Sequence, residues 1–201
     1  MKKLYAILCV IGGLLWGLKP GYDWLVIGRE INTGYTPSHW TDYCKFLFPL
    51  LCVGGIMVLF NLYKKSIKAS ATILTISLIL HTLFHFSEIY MLDSNIPFGL
   101  LFLFTGLITM VFGSIILCRQ LKRIQSVPRS LAYSALLLMI STLLFCLLPF
   151  VSMSLDDSSE GPIMVFLMFL GGVSWSAIGV SLLSIVNSKS SNVQSGMQLD
   201  E

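Results

Sequence analysis

The chain carries few charged residues. Only 11% of its 201 residues are Asp, Glu, Lys or Arg, whereas 55% are hydrophobic. A soluble domain of this length carries roughly 25% charged residues, because its surface needs charge whatever the size of its core. The shortage argues against a soluble globular protein and favours a chain whose surface faces lipid.

The sequence also lacks the short motifs that mark common enzyme classes. It contains no P-loop, no dinucleotide-binding glycine motif, no nucleophile elbow and no H-E-x-x-H element. The five cysteines show neither metal-ligand spacing nor a C-x-x-C pair, so we interpret them as apolar packing residues. The basic cluster at 119–129 is small and is accounted for by membrane orientation, so we predict no nucleic-acid partner.

Long apolar runs occupy most of the chain, and a helix needs about 20 such residues to cross a bilayer. The first run is short unless it continues through Pro20 towards Gly28, in which case Lys19 and Asp23 can pair one turn apart. We predict an all-α, polytopic transmembrane bundle of six spans in residues 1–186, followed by a disordered cytoplasmic tail at 187–201. The predicted spans are 4–18 (or to 28), 44–63, 70–91, 97–118, 131–153 and 162–186.

Lys and Arg are unevenly distributed between the connections. With the N-terminus placed in the cytoplasm, ten of the thirteen fall in cytoplasmic segments, whereas eight of the ten acidic residues fall on the other side. Because Lys and Arg favour cytoplasmic segments, we predict that both termini are cytoplasmic. The short loops and the Met-Lys-Lys start favour a bacterial plasma membrane. The lipid bilayer is the predicted partner, and a second copy or another membrane protein is left open.

Small residues recur at helical spacing in the first and last runs. Lipid removes the hydrophobic drive between helices, so close backbone contact must hold them together. We therefore predict that six small residues pack the bundle: Gly13, Gly17, Gly21, Gly172, Ser176 and Gly179. A Gly-Gly-x-x-Trp element occurs at 12–16 and again at 171–175, and we interpret it as packing chemistry rather than as a sequence repeat.

One polar cluster lies within a predicted span. His81, His85 and Glu88 share a sector of roughly 60° on the third helix, and Ser77 extends this stripe towards the inner end. Five residues occupy the opposite face and suit contact with lipid or apolar packing: Ile76, Ile79, Leu83, Phe86 and Tyr90. Because a charge at mid-membrane costs roughly 2.5–3.5 kcal/mol on insertion scales, we expect the polar stripe to face the bundle interior or a cavity.

Three interpretations of this cluster remain open. It can be a hydrogen-bonded seam between helices, or a proton relay or counter-charge for a substrate. It can also be a zinc site in which His81, His85 and Glu88 are joined by His39 from the first outer loop. Zinc is the one cofactor considered, and no cofactor is firmly implied. No catalytic residue is assigned.

Three functions follow from these interpretations. The leading hypothesis is a non-enzymatic bundle of the accessory, immunity or small-solute-handling type, with an outward-facing polar pocket on the third span. The second is a membrane-embedded, metal-dependent hydrolase built on the histidines. The third is a proton-coupled carrier, for which Pro49 and Pro149 would mark broken helices in corresponding halves of the chain.

Overall fold

The fold is given by a computed structural model that describes residues 1–23, 44–90, 96–152 and 157–197; for 88–90, 96–98, 149–152, 157–161 and 189–197 it describes the backbone alone. Six long helices and no strand occur in these ranges. They are α1 (Lys2–Tyr22), α2 (Leu47–Tyr63), α3 (Lys68–Tyr90), α4 (Ile96–Lys122), α5 (Arg129–Ser152) and α6 (Asp157–Met197), with a short 3-10 turn at Lys64–Ser66. All six helices contain a stretch long and apolar enough to cross a membrane. The predicted all-helical class and the six apolar helices are confirmed.

The end of the first helix is now defined. α1 continues through Pro20 to Tyr22, and Lys19 Nζ lies 2.5 Å from both carboxylate oxygens of Asp23. The pairing of these two residues is confirmed. Residues 24–28, into which the sequence allows the span to extend, lie outside the described residues.

The last helix is longer than the predicted span. α6 runs to Met197 and so includes most of the segment for which the sequence predicts a disordered tail. Residues 187–195 contain neither proline nor glycine, so nothing in the covalent backbone ends the helix there. Disorder of the tail in the cytoplasm stays a prediction.

The six helices form a closed ring. Each packs against its neighbours in the chain, and α6 packs against α1 to complete the circle. Matching contacts run in opposite directions along α1 and α6, since Gly13 meets Gly172 and Ser176 whereas Gly17 meets Phe169. The same antiparallel order relates α3 to α4, because Gly99 meets Ser87 and Gly113 meets Leu74.

Alternating helix directions gather basic side chains at one end of the ring. We call the end where α1, α3 and α5 begin the basic end. It carries Lys2, Lys3, Lys64, Lys65, Lys68, Arg119, Lys122, Arg123 and Arg129. The ion pair of Lys19 and Asp23 lies at the opposite end of α1.

The backbones of α1 and α6 can touch because glycines, which have no side chain, lie at their contact. A Cβ placed on Gly13 would lie 2.6 Å from the Gly172 carbonyl oxygen and 2.6 Å from the Ser176 amide nitrogen. Ser176 Oγ also donates a hydrogen bond of 3.1 Å to the Val10 carbonyl oxygen. The contact is weaker towards the end of α1, where a Cβ on Gly21 would meet only Val165 Cγ1, at 3.8 Å.

Further along α6, Gly179 lies against α1. A Cβ there would lie 2.8 Å from the Val10 amide nitrogen and 2.9 Å from the Ala6 carbonyl oxygen. The structure therefore places all three α6 small residues, Gly172, Ser176 and Gly179, directly against the backbone of α1. This is the arrangement by which small residues allow helices to approach closely in lipid.

A second glycine stripe joins α4 to α3. Gly99, Gly106 and Gly113 recur every seven residues, and a Cβ on each would come within 3.0 Å of an α3 side chain. Sequence reasoning did not find this stripe. The seven-residue spacing was the available signal, because residues two turns apart lie on the same helix face.

The outer surface of α3 is apolar. Ile76, Ile79, Leu83 and Phe86 are between 40% and 47% exposed, so they point away from the bundle, as the sequence pattern predicts. The polar stripe on the same helix consequently faces the interior of the ring.

Candidate functional site

A cavity of about 80 Å³ lies inside the ring, in the half of the bundle farther from the basic end. It is open on one side, and the free space including this mouth is about 590 Å³. We call it the central cavity. Five helices line it, with side chains that include Trp16 from α1, His81 and His85 from α3, Leu107 from α4, Ser141 from α5 and Trp175 from α6.

His81 presents one ring nitrogen that has no partner in the described part of the chain. The side chain is 4% exposed, and its Nδ1 lies 2.9 Å from the Ser77 carbonyl oxygen. A carbonyl oxygen can only accept a hydrogen bond, so Nδ1 carries the proton in this contact. In the uncharged ring, Nε2 is then a hydrogen-bond acceptor. We find no described residue that donates to it.

Packing holds the His81 ring from two sides. The ring of Trp16 meets it edge to face, with centroids 5.5 Å apart. A Cβ added to Gly106 would lie 2.8 Å from Nδ1, so this glycine leaves the space that the imidazole occupies. The orientation of the imidazole is therefore set by an aromatic contact, a glycine and a backbone hydrogen bond.

Trp175 supplies an unpaired donor. Its side chain is 1% exposed, and Nε1 is buried with no hydrogen-bond partner among the described residues. Most buried polar groups in folded proteins are paired, and leaving a buried donor unpaired costs about 1–3 kcal/mol. The indole nitrogen of Trp175 is therefore an unsatisfied buried donor on a residue that lines the cavity.

The hydroxyl groups in the lining are already engaged as donors. Ser141 Oγ and Thr142 Oγ1 donate to the Leu138 carbonyl oxygen, at 3.0 and 2.6 Å. Ser141 Oγ also lies 3.4 Å from Ser174 Oγ across the α5–α6 contact. These groups support the helices and leave only lone pairs for a bound molecule.

The structure divides the polar cluster of the third helix. His81 and His85 both line the central cavity. Ser77 does not line the cavity, because its Oγ donates a hydrogen bond of 2.7 Å to the Gly106 carbonyl oxygen of α4. Ser77 thus forms a hydrogen-bonded seam, whereas both histidines line the cavity. The Glu88 side chain and His39 lie outside the described residues.

A zinc site stays a prediction. Among the side chains that the structure describes, no group of three His, Cys, Asp or Glu lies close enough to hold a metal ion. Two of the four proposed ligands, Glu88 and His39, are not among those side chains. The hydrogen bond from His81 Nδ1 to a carbonyl would suit a metal-binding imidazole as well as a ligand-binding one.

The helices proposed to be broken in a carrier are continuous. Pro49 lies in the first turn of α2, and Pro149 lies in the last turn of α5. Neither proline interrupts a helix near its middle, which is where a carrier of this type unwinds. The carrier hypothesis therefore has no support from these prolines.

Sequence reasoning did not predict most of the cavity lining, including Trp16, Gly171 and Trp175. The available signal was the Gly-Gly-x-x-Trp element that occurs in both α1 and α6. These two helices pack together, and both tryptophans line the central cavity. The recurring element marks the cavity as well as the helix contact.

Comparison with known proteins adds no functional information. The chain matches no protein-family model, no curated protein and no solved structure. Inference about function consequently rests on the central cavity and its side chains.

Proposed function

We propose that the chain is an integral membrane protein of six spans, with both termini in the cytoplasm, whose central cavity binds a small and mainly apolar molecule. The observation that carries this proposal is a cavity with chiefly apolar walls that is also lined by the imidazoles of His81 and His85. Such a combination of apolar walls and few polar groups is typical of small-molecule sites.

The membrane part of the proposal is supported by surface and charge. Large apolar side chains are exposed on all six helices, which in water would form patches prone to aggregation. Basic residues gather at one end of the ring, and this end is the cytoplasmic one by the positive-inside rule. The cavity then lies in the outer half of the bilayer. Short connections are consistent with the plasma membrane of a bacterium.

Energetics favour a bound molecule over an unfilled packing defect. An empty cavity of about 80 Å³ costs about 2 kcal/mol, taking roughly 24 cal/mol per Å³. A larger side chain at position 171 would remove much of the void, since a Cβ on Gly171 would meet no described atom within 4 Å. Keeping glycine there preserves space, which supports a cavity that is used.

The lining favours binding over hydrolysis. Its described side chains include no carboxylate and no thiol, and the hydroxyls of Ser141 and Thr142 donate to a helix carbonyl. Two possible bases, His81 and His85, line the cavity, but nucleophilic catalysis also needs a thiol or hydroxyl that donates to such a base. We therefore propose a non-enzymatic protein that handles a small solute.

Binding of a small apolar probe tests this proposal. We suggest ¹⁹F NMR titration of the protein in lipid nanodiscs with 1,1,1-trifluoropropane, corrected for uptake by empty nanodiscs. Saturable binding is expected for the wild type, and its loss for Gly171→Val, whose side chain grows into the cavity. Gly21→Val is the matched control, because Gly21 does not line the cavity and has room for a Cβ. Absence of saturable binding to the wild type would contradict the proposal.

A further inference from the structure

We infer that the outer face of α4 binds an anionic phospholipid of the cytoplasmic leaflet. Its acyl chains lie along an apolar stripe of α4, and its phosphate group faces Arg119 and Arg123. This inference rests on the membrane placement in the proposed function. It adds a lipid partner at a surface whose residues do not line the central cavity.

An exposed apolar stripe on α4 leads directly to the two arginines. Four side chains of the stripe are between 52% and 59% exposed: Leu101, Phe104, Ile108 and Phe112. At 100° per residue, Arg119 and Arg123 each lie within roughly 20° of Phe112 around the helix axis. Both arginines are exposed, and the Arg123 amide donates a hydrogen bond of 3.1 Å to the Gln120 carbonyl oxygen. The stripe therefore ends in two cations one turn apart on the same face.

The dimensions of the stripe fit one leaflet of a bilayer. Phe112 and Ile108 precede Arg119 by about 10.5 and 16.5 Å, at 1.5 Å per residue. Half of a bilayer's hydrocarbon core is about 15 Å thick. A lipid whose phosphate faces Arg119 consequently has its acyl chains against Phe112 and Ile108. A soluble phosphate ion makes no use of this apolar surface, so the stripe favours a phospholipid over a free anion.

The charge around the two arginines is unbalanced. Lys122 lies beside them at the end of α4. The first turn of α3, which begins at Lys68, adjoins the same end, because Ser70 Oγ donates a hydrogen bond of 2.6 Å to Gln120 Oε1. Among the side chains that the structure describes, none at the basic end is acidic.

This arrangement goes beyond what membrane orientation requires. The positive-inside rule asks only for cations at the cytoplasmic end, whereas here two arginines continue a lipid-facing stripe. Clusters of four or more Lys and Arg immediately beside a transmembrane helix are typical of binding to anionic lipids. The planar guanidinium group of arginine also matches the geometry of phosphate oxygens.

Lipid titrations of the purified protein test this inference. Native mass spectrometry would measure its affinity for dioleoylphosphatidylglycerol and, separately, for dioleoylphosphatidylcholine, which has the same acyl chains and no net charge. Phosphatidylglycerol should bind the wild type roughly fivefold to thirtyfold more tightly, since each Lys or Arg near an anionic lipid surface contributes a factor of about five. Arg119→Gln/Arg123→Gln should lose most of this preference. The matched control, Lys2→Gln/Lys3→Gln, removes two charges at the same end on α1, across the ring from α4, and should keep it.

The outcomes separate a lipid site on α4 from its alternatives. Equal affinity of the wild type for both lipids, or a preference that persists in the arginine variant, would overturn the inference. An equal loss in both variants would also overturn it, because the general charge of the basic end would then select the lipid. Displacement of phosphatidylglycerol by an equal concentration of glycerol phosphate would indicate a site for a soluble anion and overturn the lipid assignment.

The proposed function is tested independently of these results. Trifluoropropane should bind the central cavity equally well in the wild type and in Arg119→Gln/Arg123→Gln, because neither arginine lines the cavity. Loss of the lipid preference alone therefore leaves the cavity proposal standing. Far-UV circular dichroism and size-exclusion chromatography establish that each variant is folded.

Discussion

Two adjacent glycines of α6 offer the sharpest test of how the bundle is packed. Gly171 and Gly172 share the same helix and nearly the same depth, yet they face different surroundings. A Cβ on Gly172 would collide with backbone atoms of Gly13 and Gly17 in α1, whereas a Cβ on Gly171 would meet no described atom within 4 Å. The same substitution to alanine should therefore have opposite effects at the two positions.

The magnitudes follow from two competing terms. Alanine is favoured over glycine within a helix by about 0.8–1.0 kcal/mol, so Gly171→Ala should stabilise the fold by up to about 1 kcal/mol. Gly172→Ala gains the same propensity, but it forces the α1 backbone away, and overpacking of this kind typically costs about 1–3 kcal/mol. The nearest α1 neighbours of Gly172 are backbone atoms, which cannot move aside by rotating a side chain. We expect a net destabilisation, and a difference of roughly 1–3 kcal/mol between the two variants.

Reversible unfolding measures this difference. The wild type and both variants would be titrated from dodecylmaltoside into sodium dodecyl sulfate, with helicity and tryptophan fluorescence as readouts. The free energies of unfolding should rank Gly171→Ala at or above the wild type and Gly172→Ala below it. Equal effects at both positions, or a larger loss at 171, would refute the proposed contact between α1 and α6.

Two further packing predictions use the same unfolding measurement. Ser77→Ala removes the hydrogen bond from α3 to the Gly106 carbonyl of α4 and should lower the free energy of unfolding by roughly 0.6–1.7 kcal/mol. The control, Ser87→Ala, loses only a hydrogen bond within its own helix and should lower it less. Equal losses in the two variants would argue against the α3–α4 seam. Along α1, Gly13→Ala should destabilise the protein, because overpacking costs about 1–3 kcal/mol and helix propensity returns only up to about 1 kcal/mol. Gly21→Ala should be tolerated because its nearest described neighbour is 3.8 Å away. The reverse order would contradict the graded contact.

Membrane orientation is tested by cysteine labelling. Ser126 is exposed in the turn between α4 and α5, at the basic end, and Cys44 lies at the opposite end before α2. A membrane-impermeant maleimide added to intact cells should label Ser126→Cys, in a Cys44→Ser background, only after permeabilisation. Labelling before permeabilisation would place the basic end outside and overturn the proposed orientation.

Local chemistry made several features predictable from the sequence. Apolar runs of sufficient length identify the helices, and helical periodicity identifies the exposed face that includes Ile76 and Leu83. The Lys19–Asp23 pair was predictable because residues four apart are neighbours on a helix. Each of these inferences depends only on the sequence within a single helix.

The central cavity was not predictable, because it depends on which helices meet. Trp16 and Trp175 are far apart in the chain and line one cavity only because α6 returns to pack against α1. For the same reason the polar stripe of α3 was found as one cluster but divides in the structure. Helical periodicity places Ser77 and His81 on one face of α3. It does not show that Ser77 bonds to the α4 backbone whereas His81 lines the cavity.

A high-resolution density map of the protein, purified from its own membranes into lipid nanodiscs, tests most directly whether the central cavity is a binding site. Non-protein density is expected in the cavity, in contact with its apolar walls and with His81. A cavity closed by repacked side chains, or one that contains only separate water peaks, would contradict it.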